Sequence, residues 1–244
     1  MARPAVEAYD ELDSTNAEAR RRAEAGDPGP VWITAARQTA GRGRRGREWR
    51  SSQGNLAATL LLTLARPPVE AAQIAFVAAL ALADLGETLA GEGAVRLKWP
   101  NDLLLFGEKA AGILVESGAR PDGRLWLAVG FGVNLADAPK DLERPAAAFA
   151  EHTAKKIPPL DALDLLAAAF ERWMTTWERE GFPAVATAWT ARAHGLGEPC
   201  EARLPGGVLK GVAEGLDPDG ALRLRLDGGA IERITAGDVF FGGA

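Results

Sequence analysis

The chain has 244 residues, of which 47% are hydrophobic and 25% are charged, and its formal net charge is -5. This composition is typical of a globular protein with one large domain, or with one large and one small domain. The single cysteine, Cys200, excludes an internal disulfide and a thiolate metal cluster. The only two histidines, His152 and His194, disfavour a His-rich metal site and a Ser-His-Asp hydrolase.

The N-terminal sequence has no apolar core of the kind found in a secretory signal peptide. The most apolar long stretch, residues 69–90, is interrupted by Glu70, Gln73, Asp84 and Glu87. We therefore expect a cytoplasmic protein without a membrane span.

The first elements alternate between helix and strand. Residues 14–25 are predicted to be a helix, because Thr15 and Glu18 have the spacing of a capping box and a glycine follows. The apolar runs 31–36 and 56–64 favour β-strands. The glycine- and arginine-rich segment between them is therefore predicted to be a loop that joins two strands.

The middle of the chain continues this mixed order. Apolar residues in 69–90 recur every three or four positions, which predicts a helix with a buried face, and the same spacing predicts a second helix over 160–180. Between the helices lie four strand-like segments: residues 95–99, 102–106, 111–117 and 124–135.

The sequence pattern changes after residue 194. Turn signals at 205–207, 217–220 and 227–229 separate short segments, and apolar and polar residues alternate in "ALRLRL". The sequence thus predicts a domain of residues 1–194 and a small all-β domain of residues 195–244.

The segment "QTAGRGRRGREWRSSQGNL", residues 38–56, concentrates positive charge in an acidic chain. It contains G-x-G-x-x-G, but no helical periodicity follows the last glycine, so a dinucleotide-binding turn is disfavoured. On its own the segment is compatible with a solvated loop, a nucleic-acid contact that uses Trp49, or a site for a small phosphate compound. Arginine binds carboxylates and phosphates bidentately, and glycine permits close approach of the backbone to a ligand.

Other motifs accompany this loop in a fixed order: "STN" at 14–16, "KWPND" at 98–102, "KAAGILVE" at 109–116 and "GFGVNL" at 130–135. With "GRGRRGR" they resemble the biotin protein ligases, and the resemblance runs from about Ser14 to the C-terminus. It implies an α/β (α+β) fold with a mixed sheet, similar to the catalytic domain of class II aminoacyl-tRNA synthetases, and an SH3-like C-terminal β-barrel.

The resemblance also implies the chemistry and its cofactors. ATP and Mg²⁺ would activate biotin as biotinoyl-5′-AMP, and the biotinyl group would pass to a lysine of a biotin carboxyl carrier protein domain. The loop would close over the intermediate and exclude water.

The family's residue roles carry over to matching positions. The implied catalytic residues are Arg42, Arg44 and Lys109. The implied biotin-binding residues are Ser14, Thr15, Asn16, Gln38, Arg42, Gly43, Arg44, Lys109, Gly112 and Gly130. The implied ATP-binding residues are Arg44, Arg47, Trp49, Asn101, Lys109 and Asn134. Asp102 is the implied contact to Mg²⁺.

Some members of the family carry an N-terminal DNA-binding domain, whereas only thirteen residues precede Ser14 here. We therefore expect no sequence-specific DNA binding, and the resemblance leaves homodimer formation open. Two alternatives stay in view. A lipoate-type acyl protein ligase would adenylate another acid, and an RNA-binding module would lose affinity steeply with salt.

Overall fold

The computed structural model describes residues 4–141, 145–153 and 156–242. The strands are β1 Ala5–Leu12, β2 Val31–Gln38, β3 Leu56–Leu64, β4 Val95–Lys98, β5 Asp102–Leu105, β6 Glu108–Ala119, β7 Leu125–Val133, β8 Pro199–Leu204, β9 Gly207–Leu216, β10 Leu222–Arg225, β11 Ile231–Ile234 and β12 Asp238–Phe241. The helices are α1 Thr15–Glu24, α2 Pro68–Ala71, α3 Ile74–Ala90, α4 Phe149–His152, α5 Pro159–Glu180 and α6 Phe182–Ala191.

A seven-stranded sheet forms the centre of the larger part of the molecule. Its order is β1-β2-β3-β7-β6-β5-β4, in which β1 and β2 run parallel and every other neighbouring pair runs antiparallel. Helix α1 packs on β2, β3 and β7. Helices α3 and α5 pack on each other, and they also contact the sheet, α3 at β4, β5, β6 and β7 and α5 at β3. The mixed sheet with helices is therefore confirmed.

Residues 68–90 form two helices instead of the single predicted one. The short α2 ends at Ala71, and the chain turns through Ala72 and Gln73 before α3 begins. The buried Gln73 side chain accepts a hydrogen bond from Trp177 Nε1 at 2.8 Å, which ties this turn to α5. By length and composition the segment could cross a membrane, yet 67% of its most apolar window is buried inside the protein. It is the helical layer of the core.

A stability prediction follows from Leu80, which lies in α3 and is fully buried. Leu80→Ala should lower the free energy of unfolding by about 2–5 kcal/mol, because the substitution removes buried apolar area and leaves a cavity. Urea denaturation followed by circular dichroism measures the change. Leu160→Ala in α5, at a side chain that is 50% exposed, is the matched control and should cost less than about 0.5 kcal/mol. Equal losses in the two variants would contradict this account of the core.

The C-terminal strands form a separate five-stranded antiparallel sheet with the order β11-β10-β9-β8-β12. The two sheets share one hydrophobic core, to which Ala202, Leu222 and Val239 contribute from the C-terminal sheet. Trp99 Nε1 also donates a hydrogen bond to the carbonyl of Gly220 at 3.2 Å. The all-β character of this segment is confirmed, and its strands pack directly against the larger part.

Some local elements were not predicted, and one local prediction was wrong. Strand β1 and the helices α4 and α6 were not predicted. The capping box at Thr15 was wrong, because Ser14 is the N-cap of α1 and its side chain accepts a hydrogen bond from the Ala17 amide. The Glu18 side chain pairs instead with Arg21 and Arg22.

Candidate active site at the helix α1 and arginine-loop face of the sheet

The first turn of α1 lies against the end of β2. Ser14, Thr15 and Asn16 are all buried. The backbone amide of Thr15 donates to Gln38 Oε1 at 2.9 Å, and Thr15 Oγ1 lies 3.2 Å from the same oxygen. Because Gln38 ends β2, this contact fixes the start of the helix on the sheet.

Asn16 reaches across the sheet to β6 and β7. Its Nδ2 donates to Glu116 Oε2 at 2.8 Å and to the carbonyl of Leu114 at 3.2 Å. A Cβ at Gly130 would overlap Asn16 Oδ1, so β7 needs a glycine at this position. Ser14, Asn16 and Glu116 line a cavity of about 260 Å³, and Arg42 lies at the same cavity.

The glycine- and arginine-rich segment of residues 38–56, called the arginine loop below, contains one turn of 3₁₀ helix, Arg44–Gly46, and no α-helix. Arg45 and Gly46 both have positive φ, at 58° and 71°, and the amide of Gly43 donates to the carbonyl of Arg47 at 2.7 Å. A Cβ at Gly41 would overlap the carbonyl of Trp49. The dinucleotide-binding alternative is excluded, because no helix begins at the last glycine of the motif.

Arg44, Arg45 and Arg47 contact residues outside the loop. Arg44 Nη1 donates to Asn101 Oδ1 at 3.2 Å and to the carbonyl of Gly237 at 3.3 Å. Arg45 and Arg47 both form ion pairs with Asp238. Burial lowers the pKa of the Arg44 guanidinium from its ordinary value, and Asp238 opposes that shift. An arginine stays charged despite such a shift, so Arg44 is a partly desolvated cation beside "KWPND".

Lys109 lies on β6, opposite the "KWPND" turn. Its Nζ lies 2.6 Å from Asp102 Oδ1 and 5.7 Å from the centre of the Trp49 ring. A Cβ at Gly112 would touch both Lys109 and Trp49, and a Cβ at Gly132 would overlap the Trp49 indole. Trp49 therefore lies against the backbone at Gly112 and Gly132, where only glycine leaves room for its ring. It is not a core tryptophan.

The two asparagines of the predicted site have partners of their own. Asn101 Nδ2 donates to the carbonyl of Ile113 at 2.7 Å, which holds the turn between β4 and β5 against β6. Asn134 is buried, and its Nδ2 donates to the carbonyl of Ala147 at 3.3 Å. Asn134 thus fixes the segment before α4 beside Lys109, whose carbonyl accepts a hydrogen bond from the amide of Ala147.

The donor set at Asp102 suits a substrate-borne magnesium ion better than a resident metal centre. Within residues 4–141, 145–153 and 156–242, no three His, Cys, Asp or Glu side chains come together as a metal cluster. Asp102 Oδ1 is buried and forms an ion pair with Lys109, but no donor in these ranges has hydrogen-bond geometry toward it. Mg²⁺ is commonly bound by one or two carboxylates together with substrate phosphates. Asp102 therefore fits Mg²⁺ that enters with a nucleotide.

The comparison with known protein families agrees with this geometry. Residues 11–134 match the Biotin/lipoate A/B protein ligase family, and residues 195–242 match the Biotin protein ligase C terminal domain. The chain belongs to the biotin/lipoate A/B protein ligase family. Every residue of the predicted site lies within the first of these two matches.

Relatives within the ligase family match nearly the whole chain. A biotin–[acetyl-CoA-carboxylase] ligase of Paracoccus denitrificans is 46% identical over 237 residues, which are 95% of this chain and 98% of that protein. The bifunctional ligase/repressor BirA of Bacillus subtilis is 32% identical over 96% of this chain and 73% of its own length. Among solved structures, biotin protein ligase from Aquifex aeolicus in complex with biotin and ATP has a TM-score of 0.82 at 25% identity. That likeness covers 98% of this chain and 99% of the Aquifex chain.

The structure adds residues that sequence reasoning did not single out for the site. They are Thr59 and Gly132 on the sheet, Glu116 beside Asn16, and Gly237 and Asp238 at the arginine loop. The "GFG" spacing contained a signal for Gly132, because residues two apart on a strand share a face. No sequence pattern indicated the contacts of Asp238, since more than 190 positions separate it from Arg47.

Proposed function

We propose that this protein is an ATP-dependent biotin protein ligase that activates biotin as biotinoyl-5′-AMP and transfers it to a lysine of a biotin carboxyl carrier protein domain. The observation that carries the proposal is the pair Gly130 and Gly132. Both lie on one face of β7, the first under Asn16 and the second under the Trp49 ring. The polar pocket of α1 therefore adjoins the cationic site around Lys109, as the joining of two substrates requires.

The polar residues divide between the pocket at α1 and the cationic site around Lys109. Ser14, Thr15, Asn16 and Gln38 bind the biotin ring, over an open backbone at Gly112 and Gly130. Arg42, Gly43, Arg44 and Lys109 meet the biotin carboxylate and the α-phosphate. The nucleotide is bound by Arg44, Arg47, Trp49, Asn101, Lys109 and Asn134.

The first chemical step joins two anions. An oxygen of the biotin carboxylate attacks the α-phosphorus of ATP, and the bond to the bridging oxygen breaks to release pyrophosphate. Arg44 and Lys109 reduce the repulsion and stabilise the charge that develops on the phosphoryl oxygens. Asp102 would hold Mg²⁺ that enters with ATP, and the ion would neutralise further charge on the phosphates.

In the second step, the ε-amine of the acceptor lysine attacks the mixed anhydride and AMP leaves. The arginine loop is suited to cover the anhydride, because its glycines permit a change of backbone conformation and Arg44, Arg45 and Arg47 contact residues on two other segments. The absence of water from the covered site would protect the intermediate.

The proposal also covers the protein's cellular location, its protein partner and its division into domains. We place the enzyme in the cytoplasm, with a carboxylase carrier domain as its partner. The division at residues 194 and 195 is supported by the two separate sheets and by the match of residues 195–242 to a C-terminal domain family.

Biotin-dependent exchange of pyrophosphate into ATP tests the proposed function. We expect purified protein to catalyse exchange with biotin and not with lipoate. Exchange with lipoate alone would move the protein to the lipoate branch of the same family. Exchange with neither acid would refute adenylation and reopen the RNA-binding alternative, which a salt titration of RNA affinity then examines.

Gly130→Ala should raise the KM for biotin at least about tenfold, because the methyl group would displace Asn16 and disrupt the pocket. The KM for ATP should change much less. Gly228→Ala is the matched control, since a Cβ at Gly228 meets no atom within 4 Å. A normal biotin KM in Gly130→Ala would show that Asn16 does not shape the pocket.

A further inference from the structure

Thr59 is a polar side chain at the centre of β3 with no exposed surface. Its Oγ1 lies 2.8 Å from Thr15 Oγ1 and 2.7 Å from Asn16 Oδ1. A hydroxyl has one proton, so Thr59 can donate in only one of these two contacts. The direction of each hydrogen bond can be deduced from the neighbours.

Asn16 fixes the first direction. Its amide nitrogen faces two acceptors, Glu116 Oε2 at 2.8 Å and the carbonyl of Leu114 at 3.2 Å. The nitrogen therefore lies on that side, and Oδ1 faces Thr59. Because Oδ1 can only accept, the single proton of Thr59 is donated to Asn16.

Thr15 fixes the second direction. The contact between Thr59 and Thr15 needs a proton, and the proton of Thr59 is already committed, so Thr15 is the donor. The alternative acceptor, Gln38 Oε1, is farther away, at 3.2 Å, and already receives the backbone amide of Thr15 at 2.9 Å. The hydroxyl of Thr15 is left with lone pairs and no proton for a ligand.

Gln38 complements Thr15. Its Oε1 is occupied by the Thr15 amide, so its Nε2 is the group left to meet a ligand, and it can only donate. An acceptor at Thr15 beside a donor at Gln38 matches one edge of a ureido group, in which an N–H stands next to a carbonyl oxygen.

We propose that Thr59 is a positioning residue that determines specificity: it holds the Thr15 hydroxyl as an acceptor for a ureido N–H of the substrate. This inference rests on the proposed activation of biotin. The dithiolane ring of lipoate has neither an N–H nor a carbonyl, so it would leave the buried hydroxyl of Thr15 and the half-buried amide of Gln38 without a partner on the ligand. A site that is built to hydrogen-bond a polar group strongly rejects analogues that lack this group.

Thr59→Val tests the proposal, because valine has nearly the same shape and no hydroxyl. We expect the biotin KM in pyrophosphate exchange to rise about five- to tenfold, as loss of one oriented hydrogen bond predicts. The ATP KM and kcat should stay within about twofold. Thr59→Ser keeps the hydroxyl and should restore the biotin KM. Thr59→Ala serves in place of the valine variant if that variant does not fold, as judged by its melting temperature.

A double-mutant cycle separates positioning from packing. If Thr59 acts through Thr15, then Thr59→Val introduced into Thr15→Val should raise the biotin KM less than about twofold further. Additive effects of the two substitutions, an unchanged biotin KM, or an equal rise in the ATP KM would each overturn the proposal. No exchange with biotin in the unsubstituted protein would instead refute the proposed function, so the two failures are distinguishable.

Discussion

Lys109→Ala is expected to lower biotin-dependent pyrophosphate exchange about 10²- to 10³-fold, the usual cost of losing one group that stabilises transition-state charge. Lys109 Nζ lies beside Asp102 and over Trp49, where the proposed site brings the biotin carboxylate and the α-phosphate together. Without this ammonium group, two anions must approach each other with one cation fewer. Initial rates at saturating ATP and biotin measure the effect on kcat.

The control for Lys109 is Lys210→Ala, which removes an exposed ammonium group from β9 in the C-terminal sheet and alters the net charge equally. Its exchange rate should stay within about twofold of the unsubstituted protein. A fall in both variants would point to net charge or folding, and full activity of Lys109→Ala would remove Lys109 from the catalytic set.

The regular elements of the larger part were predictable where one periodicity was clear. The nine residues of β3 were predicted with their observed bounds, and α5 to within one residue, because each has a continuous apolar run or stripe. Strand β1 was missed because its "AVEAYDEL" carries four charged or aromatic polar side chains. Such sequences occur on edge strands, where charge protects the unpaired backbone.

The site was predictable only at its motifs. Ser14 and Thr15 have similar side chains, and the sequence alone did not show which one caps α1 and which one turns toward the sheet. Thr59 was hidden for another reason. Threonine is a common strand residue, so its presence in an apolar run indicates β-structure and not a hydrogen-bond network.

Long-range contacts explain the remaining differences between the site predicted from the sequence and the observed site. The arginine loop is held by Gly237 and Asp238, and such contacts depend on how the C-terminal sheet packs on the larger part. No local pattern encodes that packing. The loop's charge predicted an anion site, whereas its contact with the C-terminal sheet could come only from the structure.

Arg44→Gly is expected to release biotinoyl-5′-AMP roughly 10- to 100-fold faster, as the loss of one or two charge-assisted hydrogen bonds predicts. Arg44 is the partly buried arginine that links the loop to Asn101 and to the carbonyl of Gly237, so the substitution removes both links. The released anhydride should acylate exposed lysines of unrelated proteins. Retention of radiolabelled adenylate on a desalting column gives the rate, and labelling of an added bystander protein gives the selectivity.

Arg45→Gly is the matched control because it changes the neighbouring residue without removing the proposed anion ligand. Arg45 has a φ of 58°, a conformation that glycine adopts more readily than arginine, and its side chain pairs with Asp238. The variant should therefore retain adenylate as the unsubstituted protein does. Equal release from both variants would mean that the whole loop, and not the Arg44 guanidinium, holds the intermediate. Unchanged retention in Arg44→Gly would exclude Arg44 from that role and leave Arg42 and Lys109 as the cations that face the phosphate.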